Sequence, residues 1–224
     1  MDVTQAIRTR KSIRGFRPDP ISREVIEEIL QVSCRAPSAL NLQPWEFFVL
    51  SGDPLRQAGR ENVERLKSGA TLELEVAESG FPRDSVFRER QVALAKQLFR
   101  LMGIPREDKE KRAAWMELGF RYFDAPATII IVSDRSLSGE GLLLDLGAVM
   151  QSICLVAWQH GIGTCIARQG VFYPDVLRKS AGIPESKRIV IAISMGYPDW
   201  GFPANRVETE REPPEAITTW VGFE

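Results

Sequence analysis

Two adjoining stretches, APATIIIVSD at residues 125–134 and LLLDLGAVMQSICLVAWQHGIG at 142–163, decide the fold. The first is continuously apolar and largely β-branched, which predicts a buried strand. The second is apolar on nearly every side and too long for a strand, which predicts a helix. About twenty apolar residues could also span a membrane, but this run contains Asp145, Gly147, Gln151 and Ser152. We therefore expect a helix over 142–158 in the core or at a subunit interface, and no membrane association.

Further strands and helices are predicted on both sides of these two stretches. Apolar runs predict strands at 45–52, 163–167 and 188–198. Helical periodicity predicts helices at 3–9, from Ser22 as N-cap to a stop before Pro37, and at 53–67, 84–102, 106–122 and 174–184. Strands separated by long helices indicate one α/β or α+β sandwich with a central sheet. We expect a single domain over residues 1–224, with a helical insert at about 53–124 and a C-terminal arm at about 199–224.

Composition excludes several classes of protein. The net charge of −1 over 224 residues argues against a nucleic-acid-binding protein, which normally carries a basic excess. Three widely spaced cysteines and a single histidine predict neither a disulfide framework nor a metal site. The N-terminus has no apolar segment of the kind found in secretory signals, so we expect a cytoplasmic protein.

A basic stretch at residues 8–20, RTRKSIRGFRPDP, is the main candidate for a binding site. Arg10, Ser12 and Arg14 alternate, so in extended backbone their side chains project to one side. Two guanidinium groups around a hydroxyl suit a phosphate monoester, because arginine gives bidentate, charge-assisted hydrogen bonds. Solvated surface charges would give the same spacing, which leaves both interpretations open. No P-loop, dinucleotide-binding fingerprint or nucleophile elbow accompanies the stretch.

Four motifs occur in a fixed order along the chain: RTRKSIRGF at 8–16, APSALNLQPWEFFVL at 36–50, GIGT at 161–164 and MGYPD at 195–199. In this combination they resemble the nitroreductase family of FMN-dependent, NAD(P)H-oxidising enzymes, and the resemblance runs from about residue 4 to the end of the chain. The tail, with FPRDSVFRERQ at 81–91 and MGIPREDKEKR at 102–112, is similar to a subgroup of nitrobenzoate and other nitroaromatic reductases. The implied fold is a nitroreductase-like α+β sandwich whose central, mostly antiparallel or mixed sheet is flanked by helices.

The resemblance implies that the anion held by the basic stretch is the 5′-phosphate of FMN. Arg10 and Ser12, with Lys11 between them, match the phosphate-binding positions, and Arg14 matches the cation at the N1/O2 edge of the flavin. A cation there would stabilise the negative charge that reduction places on the ring. Arg211 matches a late arginine that closes on the phosphate, with Arg206 as a second candidate. The family often has a basic residue two positions before that arginine, where this chain has Thr209.

Two further groups of site residues follow from the same resemblance. A loop that reaches the flavin from the neighbouring subunit corresponds to Pro37, Ser38, Ala39 and Asn41, and Gln43, Pro44 and Trp45 complete its motif. Backbone donors near flavin N5 and O4 correspond to Thr164, Cys165, Ile166 and Ala167. An asparagine that some members place on the pyrimidine ring has only Asn62 as a candidate.

The resemblance also implies an activity and an assembly. We expect a homodimer with FMN sites at the subunit interface, formed by the apolar 142–158 helix and by a C-terminal arm that wraps the partner. The expected activity is hydride transfer from NADH or NADPH to a small electron-poor acceptor, a nitroaromatic or a quinone. No side chain is expected to act as a dedicated acid or base, because the flavin carries the chemistry. The alternatives are dehalogenation, enoyl reduction or flavin destruction by a related enzyme, or flavin binding without turnover.

Overall fold

The fold is built on a four-stranded antiparallel sheet. A computed structural model describes residues 1–77 and 80–223, and in this part of the chain the sheet has the order β1-β2-β4-β3. The strands are β1, Glu46–Ser51; β2, Ala127–Asp134; β3, Gly163–Ile166; and β4, Lys187–Gly196. All three neighbouring pairs are antiparallel. The four strands predicted from the sequence are confirmed, and so is the mostly antiparallel α+β architecture.

β2 is central because it is apolar on both faces. Seven of its eight residues are buried, from Ala127 to Ser133. Ile129 lies opposite Ile193 of β4 on one side and opposite Val49 of β1 on the other. Helices cover both faces of the sheet, so every side chain of the strand meets apolar neighbours. This explains why the strand reads as an unbroken apolar run and not as an alternating one.

Eight α-helices surround the sheet in the described residues. They are α1, Val3–Thr9; α2, Arg23–Ser33; α3, Gly52–Lys67; α4, Val86–Leu101; α5, Lys109–Phe120; α6, Gly141–Gln159; α7, Pro174–Ala181; and the short α8, Pro214–Ile217. α2 begins as predicted: the Ser22 side chain accepts a hydrogen bond from the backbone N–H of Val25 at 3.4 Å. Caps of this kind satisfy one of the free donors of the first helical turn. All seven helices predicted from the sequence are confirmed to within a few residues at each end.

The helices form two layers, each with its own apolar cluster. α2 and α6 pack against one face of the sheet, which presents Ile129 and Ile131. α3, α5 and α7 form the other layer, against Ile130 and Val132. The insert expected at 53–124 is therefore divided: α3 and α5 belong to the main core, whereas α4 packs on Ala204 and Val207 at the edge.

α6 is long and apolar enough to cross a membrane by length and composition alone, a test that the core helix of a soluble protein also passes. Its inner face is core: Val149 and Ile153 are fully buried beneath the sheet. Its outer face leaves Leu143 and Leu144 exposed, the latter by 77%. The helix predicted at 142–158 thus combines a buried side with an apolar side that the chain itself does not cover.

The C-terminal arm is the second apolar surface that its own chain leaves open. Ile217, Trp220, Val221 and Phe223 are all between 68% and 81% exposed. Trp220 and Phe223 stack edge to face on each other, with ring centroids 5.1 Å apart. Four large apolar side chains exposed within seven residues are typical of a surface that binds another protein.

Candidate functional site

The basic stretch lies alongside β3. Ser12 forms a parallel bridge with Thr164, and the backbone N–H of Ile13 donates to the carbonyl of Thr164 at 2.9 Å. Ile13 is fully buried, whereas Arg10, Ser12 and Arg14 are half-buried. Residues 12 and 13 thus pair with β3 as extended backbone does, which is the condition under which Arg10, Ser12 and Arg14 project to one side. The structure therefore brings the residues at 10–14 together with those at 164–167, two groups that are 150 positions apart in the sequence.

Two glycines permit this close approach. A Cβ on Gly163 would lie 2.5 Å from a side-chain carbon of Ile13, and one on Gly15 would lie 2.1 Å from the ring of Phe202. Both distances are far below van der Waals contact, so any side chain at either position would push the basic stretch away from β3 or from the segment after β4. The cradle formed by Arg10–Gly15 and Thr164–Ala167 depends on these small residues.

Asn205 fixes the turn of the cradle at Arg14 and Gly15. Its fully buried side chain accepts from the backbone N–H of Arg14 at 2.7 Å and from that of Gly15 at 3.2 Å. Its amide nitrogen donates to the carbonyls of Gly15 and Asp199, each at 2.7 Å. The sequence analysis missed this residue. A single asparagine in a proline-rich tail carries no signal, because Arg14 and Gly15, the partners that connect it to the cradle, lie about 190 positions away.

The Arg14 guanidinium has no partner for its Nη1 in the part of the chain that the structure describes. Its Nη1 is buried and, among the described residues, has no hydrogen-bond partner; the guanidinium also forms no ion pair there. A buried charged donor left unpaired costs free energy, so such groups in native sites usually face a ligand or water. The orphaned donor, the neighbouring Arg10 and Ser12 and the glycine-dependent fit with β3 suit an anionic, planar ligand. These residues fit FMN.

Two thiols border the cradle and stay protonated at neutral pH. Burial raises the pKa of Cys165 to about 11, although the nearby Arg14 and Arg10 act in the opposite direction. Burial also raises the pKa of Cys154, against a hydrogen bond with Thr164 and the charge of Arg10. Neither side chain supplies a thiolate, so their contribution to this site is packing.

The loop predicted to reach a neighbouring flavin lies on the N-terminal part of α6. The backbone N–H of Ala39 lies 3.2 Å from both carboxylate oxygens of Asp145, and the Ser38 hydroxyl accepts from the N–H of Gln43 at 3.0 Å. Leu40, Asn41 and Gln43 adopt positive φ angles of 52°, 58° and 46°, which are uncommon outside glycine. Pro37 and Asn41 are exposed, as is Leu40. Among the described residues, no hydrogen bond joins this loop to the cradle of the same chain.

The late arginines lie on the surface of the tail. Arg211 donates to the hydroxyl of Thr209 and to the carbonyl of Glu210, each at 2.8 Å, and lines a groove between the tail and α4. Arg206 follows Asn205 and is exposed. Within one chain, neither has a hydrogen bond to Arg10 or Ser12 among the described residues. Their predicted contact with a phosphate stays a prediction.

Asn62 was the wrong candidate for the pyrimidine ring. It is fully buried in the layer of α3 and α5, where its amide nitrogen donates to the carbonyl of Phe120 at 3.1 Å and to the hydroxyl of Tyr122 at 3.2 Å. The sequence alone does not show whether an asparagine is buried in the core or binds a ligand, because both kinds have similar polar neighbours along the chain.

The chain is similar to known flavoenzymes over almost its whole length. The family model described as "Nitroreductase family" matches residues 7–197. A nitrobenzene nitroreductase of Ectopseudomonas oleovorans is 30% identical over 98% of this chain and 96% of its own length. A chloronitrobenzene nitroreductase of Comamonas testosteroni is 31% identical, with the same coverage. Among solved structures, the FMN- and NADPH-dependent nitroreductase NfnB from a Sphingopyxis strain superposes with a TM-score of 0.93 at 25% identity, over 100% of both chains.

Proposed function

Because the chain belongs to the nitroreductase family, we propose that it is an FMN-dependent oxidoreductase that takes electrons from NADPH or NADH and reduces nitroaromatic compounds. The observation that carries this proposal is the cradle of Arg10, Ser12 and Arg14 against β3, with a buried guanidinium nitrogen that no other described residue satisfies. Relatives at about 30% identity that reduce nitrobenzene and chloronitrobenzene support the acceptor class. NfnB, dependent on FMN and NADPH, supports the cofactors.

Within this proposal each part of the cradle has a role. Arg10, Lys11 and Ser12 bind the FMN phosphate, and Arg14 supplies a fixed positive charge at the flavin N1/O2 edge. The backbone of Thr164–Ala167 would supply hydrogen-bond donors to the N5/O4 side of the ring. When bound, FMN supplies the redox chemistry by accepting a hydride from the nicotinamide and passing electrons to the acceptor. The chain contributes position and a preorganised cation, which lowers the barrier without any proton transfer by a side chain.

The purified protein is expected to be yellow and to contain FMN. The cradle offers cations for one terminal phosphate, and the chain has no dinucleotide-binding fingerprint. Heat release of the chromophore, followed by chromatography and mass measurement, identifies the flavin. The apoprotein should also bind FMN more tightly than FAD when both are offered. Release of FAD, or failure of the apoprotein to bind FMN, would contradict the proposed cofactor.

We also propose that the active form is a cytoplasmic homodimer with FMN at the subunit interface. Three observations support a dimer: the exposed apolar face of α6, the strained and exposed loop at 37–43, and the uncovered aromatic arm at 217–223. In the dimer, Pro37, Ser38, Ala39 and Asn41 would approach the partner's flavin, and Arg206 and Arg211 would close on the phosphate. Three free cysteines fit a reducing compartment.

Deletion of residues 218–224 is expected to weaken the dimer and to leave the fold of the subunit intact. The deleted residues include Trp220, Val221 and Phe223, which are 68–81% exposed in their own chain and belong to none of its apolar core clusters in the described residues. Burial of a large apolar side chain at an interface contributes about 1.5–3 kcal/mol, so the dissociation constant of the dimer should rise by about a hundredfold or more. Sedimentation over a range of concentrations measures this shift. An unchanged dimer, or a wild-type protein that is monomeric at micromolar concentration, would contradict the proposed assembly.

A further inference from the structure

Residues 70–77, which follow α3, run beside the backbone proposed to face the flavin and contain no helix or strand. Residues 70–77 are attached to the segment that directly follows Thr164–Ala167. The backbone N–H of Glu73 donates to the carbonyl of Phe172 at 3.0 Å, and Arg168 donates to the carbonyl of Ala77 at 3.0 Å. The hydroxyl of Tyr173 donates to the carbonyl of Ala70 at 3.3 Å. Residues 70–77 therefore form a wall directly beside the end of β3.

Glu75 is the main anchor of this segment. Its side chain is 13% exposed, and Oε1 accepts from Arg178 Nη2 at 2.7 Å and from Arg135. Oε2 accepts from the backbone N–H of Ile189. One carboxylate thus joins the segment to α7, to the residue after β2, and to β4. Charge-assisted hydrogen bonds of this kind are stronger than neutral ones.

The anchor occupies an open part of the sheet edge. β3 pairs only with residues 193–196 of β4, so the half of β4 that contains Ile189 extends beyond its neighbour. Glu75 satisfies a backbone donor at this edge, which would otherwise be left unpaired. On either side of it, Leu74 packs on the α3–α7 layer and Val76 packs on the α2–α6 layer. The segment is therefore held at the sheet edge by one buried carboxylate and two apolar contacts, and Ala77 bonds to Arg168, two residues beyond the end of β3.

Arg178 makes this anchor rigid. Its side chain is only 11% exposed and also donates to the carbonyls of Pro184, Lys187 and Ile183. Its position is therefore set by the loop between α7 and β4 and does not depend on Glu75. Removal of the Glu75 charge would leave this guanidinium in place with only the exposed carboxylate of Glu185, 3.3 Å from its Nε, and residues 70–77 would lose their anchor on it.

We propose that Glu75 is a positioning residue for the acceptor: it holds residues 70–77 beside Ile166–Arg168 and so sets one wall of the cleft where the nitroaromatic meets the flavin. The inference rests on the proposed function. Glu75 contacts neither flavin nor acceptor, and its effect passes through the backbone of its own segment. Loosening that wall widens the acceptor site, whereas Arg10–Arg14 are held by Thr164 and Asn205, to which Glu75 is not bonded, and keep their contacts.

The test uses full-length FMN-loaded protein with Glu75→Gln and a matched control, Glu61→Gln. Glu61 also bonds a cation of α7, accepting from Lys179 at 2.8 Å, but it does so from α3 and away from β3. The enzyme is reduced with one equivalent of NADPH, and its reoxidation by nitrobenzene is followed by stopped flow. We expect Glu75→Gln to raise the half-saturating nitrobenzene concentration about five- to tenfold, with FMN affinity and the reduction rate within about twofold of wild type. Glu61→Gln should leave all three unchanged.

Several outcomes would overturn the inference. One is a half-saturating nitrobenzene concentration in Glu75→Gln that equals that of wild type. Another is an equal loss of FMN affinity, of the rate of reduction by NADPH and of the rate of reoxidation by nitrobenzene, because a purely structural role would give that pattern. If Glu75→Gln does not fold, Glu75→Asp keeps the charge on a shorter side chain and should give a shift of about two- to fourfold; no shift overturns the inference. If wild-type protein is not reduced by NADPH, the proposed function fails and this inference fails with it.

Discussion

Asn205→Ala is expected to destabilise the protein and to weaken FMN binding. The backbone N–H groups of Arg14 and Gly15 would lose the acceptor that Asn205 provides. The carbonyls of Gly15 and Asp199 each keep another backbone donor, from Asp199 and Phe202, so the loss is concentrated on the two donors. Leaving two buried donors unpaired should lower the free energy of unfolding by about 2–4 kcal/mol. Since the same turn holds the backbone of the Arg10–Gly15 stretch against β3, and with it the proposed phosphate contacts Arg10 and Ser12, FMN affinity should fall at least about tenfold.

Asn62→Ala is the matched control for this substitution. Asn62 is equally buried and also donates two hydrogen bonds, but it lies between α3 and α5 and does not touch the cradle. Chemical denaturation and FMN titration are measured on both variants. Both should lose stability, and only Asn205→Ala should lose FMN affinity beyond what its stability explains. Equal FMN affinity in the two variants would show that Asn205 does not position the cofactor site.

Arg14→Gln is expected to slow reduction of the enzyme more than it weakens FMN binding. A cation at the N1/O2 edge attracts the flavin more strongly once reduction has made the ring negative, so its loss acts mainly on the reduced form. Loss of about 1–2 kcal/mol of this stabilisation should slow reduction by NADPH about five- to thirtyfold and lower the flavin midpoint potential. The affinity for oxidised FMN should change much less.

Arg17→Gln is the control for charge alone. Arg17 belongs to the same basic stretch, but it is exposed, pairs with Asp19 at 2.8 Å and stacks on Tyr197. Its replacement removes the same charge from the same part of the chain and should change neither affinity nor reduction rate. Stopped-flow reduction and FMN titration on both variants decide the role of Arg14. If Arg14→Gln binds FMN weakly but is reduced by NADPH at the normal rate, Arg14 contacts the phosphate and not the flavin ring.

Strands and helices could be predicted because their signals are local. β2 has a continuous β-branched run, α2 has a serine cap followed by helical periodicity, and α6 has nineteen residues of helix in an apolar run. The extended course of Arg10–Arg14 was also predictable, since alternation is a property of neighbouring residues. Assignment of this stretch to a phosphate needed the ordered motifs, because surface charges give the same spacing.

The remaining features depend on contacts between distant parts of the chain. Asn205 bonds to Arg14 and Gly15, and Glu75 to Arg178 and Ile189, all more than 100 positions away, so no local pattern distinguishes them from ordinary surface residues. Asn62 is the opposite case. From the sequence it was a candidate ligand contact, but its hydrogen bonds to Phe120 of α5 and to Tyr122 show that it is a core residue. Likewise, the sequence of α6 fits both a core helix and an interface helix, because both are apolar. In the structure one face of the helix is buried in the core and the other face is exposed.

An anaerobic spectroscopic titration of the purified protein tests the central claim most directly. We expect NADPH to bleach the flavin absorbance at a stoichiometry of one equivalent per subunit, and we expect nitrobenzene, added after the nicotinamide is consumed, to restore it. Both half-reactions must be measured. A flavin-binding protein without turnover would show neither reduction by NADPH nor reoxidation by nitrobenzene, and an enzyme with another acceptor would show only the reduction. A bound FMN whose spectrum NADPH and NADH leave unchanged, or a reduced flavin that nitrobenzene does not reoxidise, would contradict the proposed activity.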